Sequence, residues 1–144
     1  MGLGGPEAFV AGADIKELAD KTTHEMMDSD HLATFGRIRA IRKPVIAAVS
    51  GWALGGGFEI ALSCDMIVAS DSARFGLPEI TLGVFPGAGG TQRLPRALGV
   101  EPALNMIVSG EPVKSELLAM VPGQKLFDKL ASSAEALAGE ALAF

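Results

Sequence analysis

The 144-residue chain contains no Tyr, one Trp, one Cys and two His, and the scarcity of Cys and His removes classes of function. A lone cysteine, Cys64, cannot form an internal disulfide, and no secretory pattern opens the chain, so the expected setting is a reducing one: a bacterial cytoplasm or, second, a mitochondrial matrix. With so few Cys and His there is no cluster at metal-ligand spacing, and no metal is expected. Twelve Lys and Arg against seventeen Asp and Glu leave a net charge of −5, which argues against a nucleic-acid surface, where a basic patch is expected, and leaves room for a locally basic pocket. No apolar run approaches the length of a bilayer span. The glycine-rich stretches also lack three familiar signatures. G-x-G-x-x-G does not occur at 55–59 or 87–92, no Gly-Lys-Ser or Gly-Lys-Thr follows a glycine loop, and G-x-S-x-G is missing.

What remains is an apolar chain, 49% hydrophobic and with 18 Gly, long enough for one domain with a core. Its centre is GWALGGGFEIALSCD, residues 51–65. Gly55, Gly56 and Gly57 join an apolar run, 44–49, to a buried helix carrying Phe58, Ile60, Ala61, Leu62 and Cys64. The first N–H groups of such a helix have no intrahelical partner and can face a ligand. Glu59 stands in the first turn, where the helix dipole favours a carboxylate.

In chain order, 8–11 reads as a short strand that turns at Gly12, Ala13 and Asp14 into the segment 15–19. Thr22 or Thr23 caps a long helix ending near Lys43, with Leu32, Phe35, Ile38 and Ile41 on one stripe. The run 44–49 has the signature of a strand covered on both faces, and 66–69 reads as a second buried strand. Residues 70–74 read as loop, Pro78 begins a short helical turn carrying Glu79, and two glycine elbows lead into a helix over 90–98. Residues 103–108 continue helically, 110–112 turn, and helices are expected over 115–120, 124–130 and 135–144. The alternation predicts an α/β layer fold with parallel neighbouring strands.

A hole lined by backbone N–H groups with acids nearby suits a carbonyl oxygen that becomes an enolate-like oxyanion, because prearranged donors need no reorganisation as charge develops. Three glycines alone could equally serve close helix–strand packing, and an isolated Glu is ordinarily a cap or a solvent-facing carboxylate. Glu59 and Glu79 facing one cavity would differ from both cases. Repulsion and desolvation would raise at least one pKa and let an acid and a base coexist, as adding water to a double bond requires. His24 and His31 lie in a polar helix away from the glycines and are read as non-catalytic. Cys64 is read as a small buried residue, Asp65 as ending its helix and organising the loop after it, and Arg93 and Arg96 as surface or interface charges.

Three stretches, AFVAGADIKEL, KPVIAAVSGWALGGGFEIALSCDMIVAS and FGLPEITLGVFPGAGGTQRLPRALG, together resemble the enoyl-CoA hydratase/isomerase (crotonase) family, in the family's order and over about residues 8–110. The resemblance implies a spiral of ββα units, an acyl-CoA thioester substrate, no cofactor beyond the substrate's own coenzyme A, and homo-oligomers that are trimers or dimers of trimers. It implies the backbone N–H groups of Ala13 and Gly56 as oxyanion donors, Glu59 as the base activating water, and Glu79 as the proton donor. Substrate and coenzyme contacts are implied at Ala11, Ala13, Asp14, Ile15, Lys16, Gly55, Gly56, Pro78 and Gly87. Retaining both acids favours hydration over the alternatives, a Δ3,Δ2-enoyl-CoA isomerase or a non-catalytic acyl-CoA-binding subunit. The stretch 111–130 departs from the single-function pattern and is similar to the hydratase part of multifunctional fatty-acid oxidation proteins, in which a hydroxyacyl-CoA dehydrogenase comes next. The family domain is about twice as long. Residues 1–144 are therefore expected to be a partial domain cut at both edges, with a core at 8–110 and a helical part at 111–144.

Overall fold

The computed structural model describes residues 7–28 and 33–118. Strand β1, Ala8–Val10, leads through a turn into the short helix α1, Ile15–Ala19. Helix α2, Thr23–Asp28, opens on a capping box: the Thr22 hydroxyl accepts from the Glu25 N–H at 3.3 Å, and the Glu25 carboxylate accepts from the Thr22 N–H at 2.8 Å. Helix α3, Ala33–Arg39, ends four residues before Lys43, where its last carbonyls are taken by the Ala40 N–H. Phe35 and Ile38 are half-buried on its inner stripe, whereas Ile41 lies beyond the helix and is 50% exposed. Leu32 falls outside the described residues, as do the helices expected over 124–130 and 135–144.

Two successive ββα units come next. The first is β2, Ile46–Val49, then β3, Trp52–Leu54, then helix α4, Gly56–Ser63. The second is β4, Met66–Ala69, then β5, Arg74–Gly76, then a 3-10 turn over Pro78–Leu82. Each unit places its first strand in a parallel two-stranded sheet, β2-β4, and its second in a larger sheet in which β1, β3 and β5 are neighbours in that order. Strand β1 pairs parallel with β3. The chain changes sheet between β2 and β3 within two residues, at Gly51 with φ 66°, where a Cβ would overlap the Glu7 carbonyl. Helices α5, Gly90–Leu98, and α6, Val100–Ser109, meet at Gly99. Strand β6, Val113–Lys114, joins β5 antiparallel, and α7 covers Ser115–Leu118.

Strands β3, β5 and β6 are not predicted from the sequence, because WAL and RFG are too short to show a period and merge with the turns beside them. The run 44–49 is also not covered on both faces. Ala47 and Val49 are buried while Ile46, 52% exposed, and Ala48 face outward, and β4 is only half-buried.

The core lies between the larger sheet and helices α4, α5 and α6, with Phe58, Phe75, Leu77 and Leu94 fully buried. The Phe58 and Phe75 rings pack at 5.1 Å with a 53° tilt, the inclined geometry that aromatic quadrupoles favour. Helix α4 approaches β1 so closely at Gly57 that a Cβ would overlap the Val10 carbonyl. Gly57→Val should therefore lower stability by about 1–3 kcal/mol through overpacking. Gly36→Ala, in α3 with open space where its Cβ would stand, should raise it by about 0.5–1 kcal/mol. Urea unfolding midpoints check both, and a neutral Gly57→Val would contradict the packing.

Candidate active site

Two backbone turns meet at the carboxyl ends of β1 and β3. After Val10 the chain turns at Gly12, φ 105°, where a Cβ would lie 3.2 Å from the Leu54 carbonyl oxygen and 3.8 Å from the Gly56 nitrogen. After Leu54 it turns at Gly55, φ 53°, a conformation that L side chains rarely adopt. The Gly55 N–H donates to the Gly76 carbonyl at 2.9 Å, which ties this turn to the end of β5. An ideal Cβ on Gly56 would stand 4.0 Å from the Ala13 nitrogen, so the two turns lie side by side. Neither the Ala13 nor the Gly56 N–H has an acceptor among the described residues. Ala11, Ala13, Asp14, Ile15 and Lys16 are exposed around the first turn. There the Asp14 carboxylate accepts from the Lys16 N–H at 2.9 Å and shapes the entry to α1.

The two acids occupy contrasting surroundings. Glu59, 3% exposed, is the fourth residue of α4, yet its carboxylate serves another helix: Oε1 accepts from the Ala88 and Gly90 N–H groups, each at 2.8 Å. Gly90 opens α5, and neither the preceding N-cap, Gly89, nor any other side chain caps that helix from within. The carboxylate thus meets the N-terminus of α5 as well as standing in the first turn of α4, as expected. A Cβ on Gly90 would lie 3.1 Å from Glu59 Oε1, so glycine is what lets the acid reach the backbone.

Glu79 comes directly after Pro78 at the head of the 3-10 turn. Its Oε1 lies 3.1 Å from where a Cβ on Gly55 would be, against the glycine turn, and its Oε2 is buried with no hydrogen-bond partner among the described residues. Burial pushes the Glu79 pKa above the usual glutamate value; its own backbone N–H opposes the shift and the Glu59 charge adds to it. The structure therefore brings Ala13, Gly56, Glu59, Gly55 and Glu79 together. Pro78 is half-buried beside them, and Gly87 is exposed in the loop that carries Ala88.

Sequence reasoning missed Ala88 and Gly90, although it saw the glycine elbows that expose them. Arg93, read as a surface or interface charge, is half-buried and donates to the Ala88 carbonyl at 2.7 Å. Asp65 organises the start of β2 rather than the loop after its own helix: its carboxylate accepts from the Val45 N–H at 2.8 Å, and its own N–H donates to the Val45 carbonyl at 2.9 Å. Cys64 is half-buried, its thiol 3.4 Å from the Ile60 carbonyl and its pKa raised by burial. His24 sits on the surface, 3.4 Å from Asp28.

The profile of the enoyl-CoA hydratase/isomerase family matches residues 3–140. The chain belongs to this family. Its α/β architecture is that of crotonase-like enoyl-CoA hydratases. A solved enoyl-CoA hydratase from Bacillus anthracis, 40% identical, superposes with a TM-score of 0.76 over 94% of this chain and 56% of that one. The 2,3-dehydroadipyl-CoA hydratase of Escherichia coli is 50% identical over 113 residues, 78% of this chain and 44% of the relative. The short-chain-enoyl-CoA hydratase of Clostridium acetobutylicum is 49% identical over 114 residues, again 78% and 44%. The chain spans about half the length of the family members it matches. No helix among the described residues is long and apolar enough to cross a membrane.

Glu79 gives this family site a signature in stability. Its folded pKa is raised, so the folded chain holds a proton that the unfolded chain releases from about the ordinary value of 4.5 upward. The associated stability is complete below that value and is lost as pH rises through the raised folded pKa. Glu79→Gln should flatten this fall in urea unfolding curves measured from pH 4 to pH 8. A slope equal to that of the parent would contradict the assignment.

Proposed function

We propose that the protein hydrates the C2=C3 double bond of a 2-enoyl-CoA to give a 3-hydroxyacyl-CoA in fatty-acid oxidation. The observation that carries this reading is the opposed environment of the two acids beside one pair of unpaired N–H groups. Glu59 accepts two backbone N–H bonds, whereas Glu79 has a buried, unpartnered oxygen and a pKa raised by burial, which favours the protonated acid.

The thioester oxygen binds between the Ala13 and Gly56 N–H groups. Glu59 takes a proton from water as the water oxygen bonds to C3, and the C2=C3 electrons move toward the thioester oxygen. The N–H pair stabilises the enolate, worth about 2.7–4 kcal/mol for one such donor. Glu79 then delivers its proton to C2, and proton exchange between the acids resets the site. Ala11, Asp14, Ile15 and Lys16, exposed around the Ala13 turn, hold the coenzyme, with Gly55, Pro78 and Gly87 completing the contacts. No cofactor beyond the substrate's coenzyme A takes part. The same reading includes assembly of copies into trimers or hexamers, association with a hydroxyacyl-CoA dehydrogenase, and work in a bacterial cytoplasm or a mitochondrial matrix.

Glu59→Gln and Glu79→Gln should each lower the turnover of crotonyl-CoA hydration by about 10²–10⁴-fold, the range of a lost general acid or base. Loss of the conjugated thioester absorbance reports the reaction. Unchanged turnover in both variants would sink the proposal.

A further inference from the structure

Glu59 is held by two N–H groups on a loop, and that loop is itself held from behind. The Gly90 N–H belongs to the same planar peptide as the Gly89 carbonyl, so the two groups point in opposite directions. The Gly89 carbonyl accepts from the Arg93 backbone N–H at 2.8 Å and from the Gln92 N–H at 3.0 Å. The Ala88 carbonyl accepts from Arg93 Nη1 at 2.7 Å, while the N–H of that same residue donates to Glu59. Arg93 thus grips the loop twice, once through its backbone and once through its guanidinium. A Cβ on Gly89, φ 105°, would overlap Nη1 of Arg93, so the loop closes around the guanidinium only with glycine there.

We propose that Arg93 is a positioning residue for the hydration reaction. It clips the 88–90 backbone so that the Ala88 and Gly90 N–H groups stay aimed at Glu59, and thereby sets where the base stands relative to C3. This rests on the function proposed above, in which Glu59 activates water. Arg93 touches neither acid through any hydrogen bond among the described residues, and acts through the backbone alone. Its removal leaves the Ala13 and Gly56 donors in place, so substrate binding is spared while the attack on C3 suffers.

The test compares Arg93→Ala and Arg93→Lys with the parent and with Glu59→Gln. Lys keeps the charge and much of the stem but cannot reproduce the planar guanidinium fork. Both Arg93 variants should lower kcat for crotonyl-CoA by up to about 100-fold, the loss that a misplacement of a reacting group by about 1 Å can cause, with KM nearly unchanged. In amide exchange followed by NMR, the Ala88 and Gly90 protons should lose protection while those of the β2-β4 ladder keep it. Parent-like kcat in both Arg93 variants, beside a depressed Glu59→Gln, overturns the positioning role and leaves the proposed function standing. Parent-like kcat in Glu59→Gln instead removes the function, and unchanged Ala88 and Gly90 protection then removes the clip as well.

Discussion

The close approach of α4 to β1, made at Gly57 against the Val10 carbonyl, is the constraint on which the site depends. It sets the distance between two turns that lie far apart in sequence. With α4 that near to β1, the Gly12–Ala13 turn packs on the Leu54 carbonyl and the Gly56 nitrogen, and two unpaired N–H groups come side by side. The same helix carries Glu59 two residues after Gly57, so the contact that places the donors also places the acid. Phe58, between them, anchors the helix in the core against Phe75. Packing and chemistry share one turn of helix.

The acids are separated by surroundings rather than by residue type. Glu59 is the more deeply enclosed, yet two backbone donors at the start of α5 compensate its burial. Glu79 is less enclosed but has an oxygen with no donor, and it feels the charge of Glu59. The backbone donors are shared unequally between the two glutamates of one pocket. The glycines obey the same logic, for Gly55 and Gly90 each stand where a Cβ would press on one of the carboxylates.

Much of this was legible in the sequence. The glycine triplet, the buried helix after it, the turn at Gly12 and the segment opening at Pro78 all carry local signals, and α5 has the limits its pattern predicts. What stayed hidden depends on contacts between distant segments. Strands of two or three residues, β5 and β6 among them, show no period of their own and exist through their neighbours. The outward face of Ile46 could not be read, because an apolar run looks alike whether a second layer covers it or not. Arg93 looks like any charge on an amphipathic helix until the fold shows the Ala88 carbonyl in front of it.

On the proposed reading, the Gly57 contact aims the Ala13 and Gly56 N–H groups at the thioester oxygen of the ligand. Isotope-edited infrared spectroscopy of a bound 2-enoyl-CoA labelled at the thioester carbonyl measures this directly. The carbonyl stretch should lie at lower frequency than for the same thioester free in water, with the shift lost in Gly57→Val. A bound stretch at the frequency of the free thioester would contradict it.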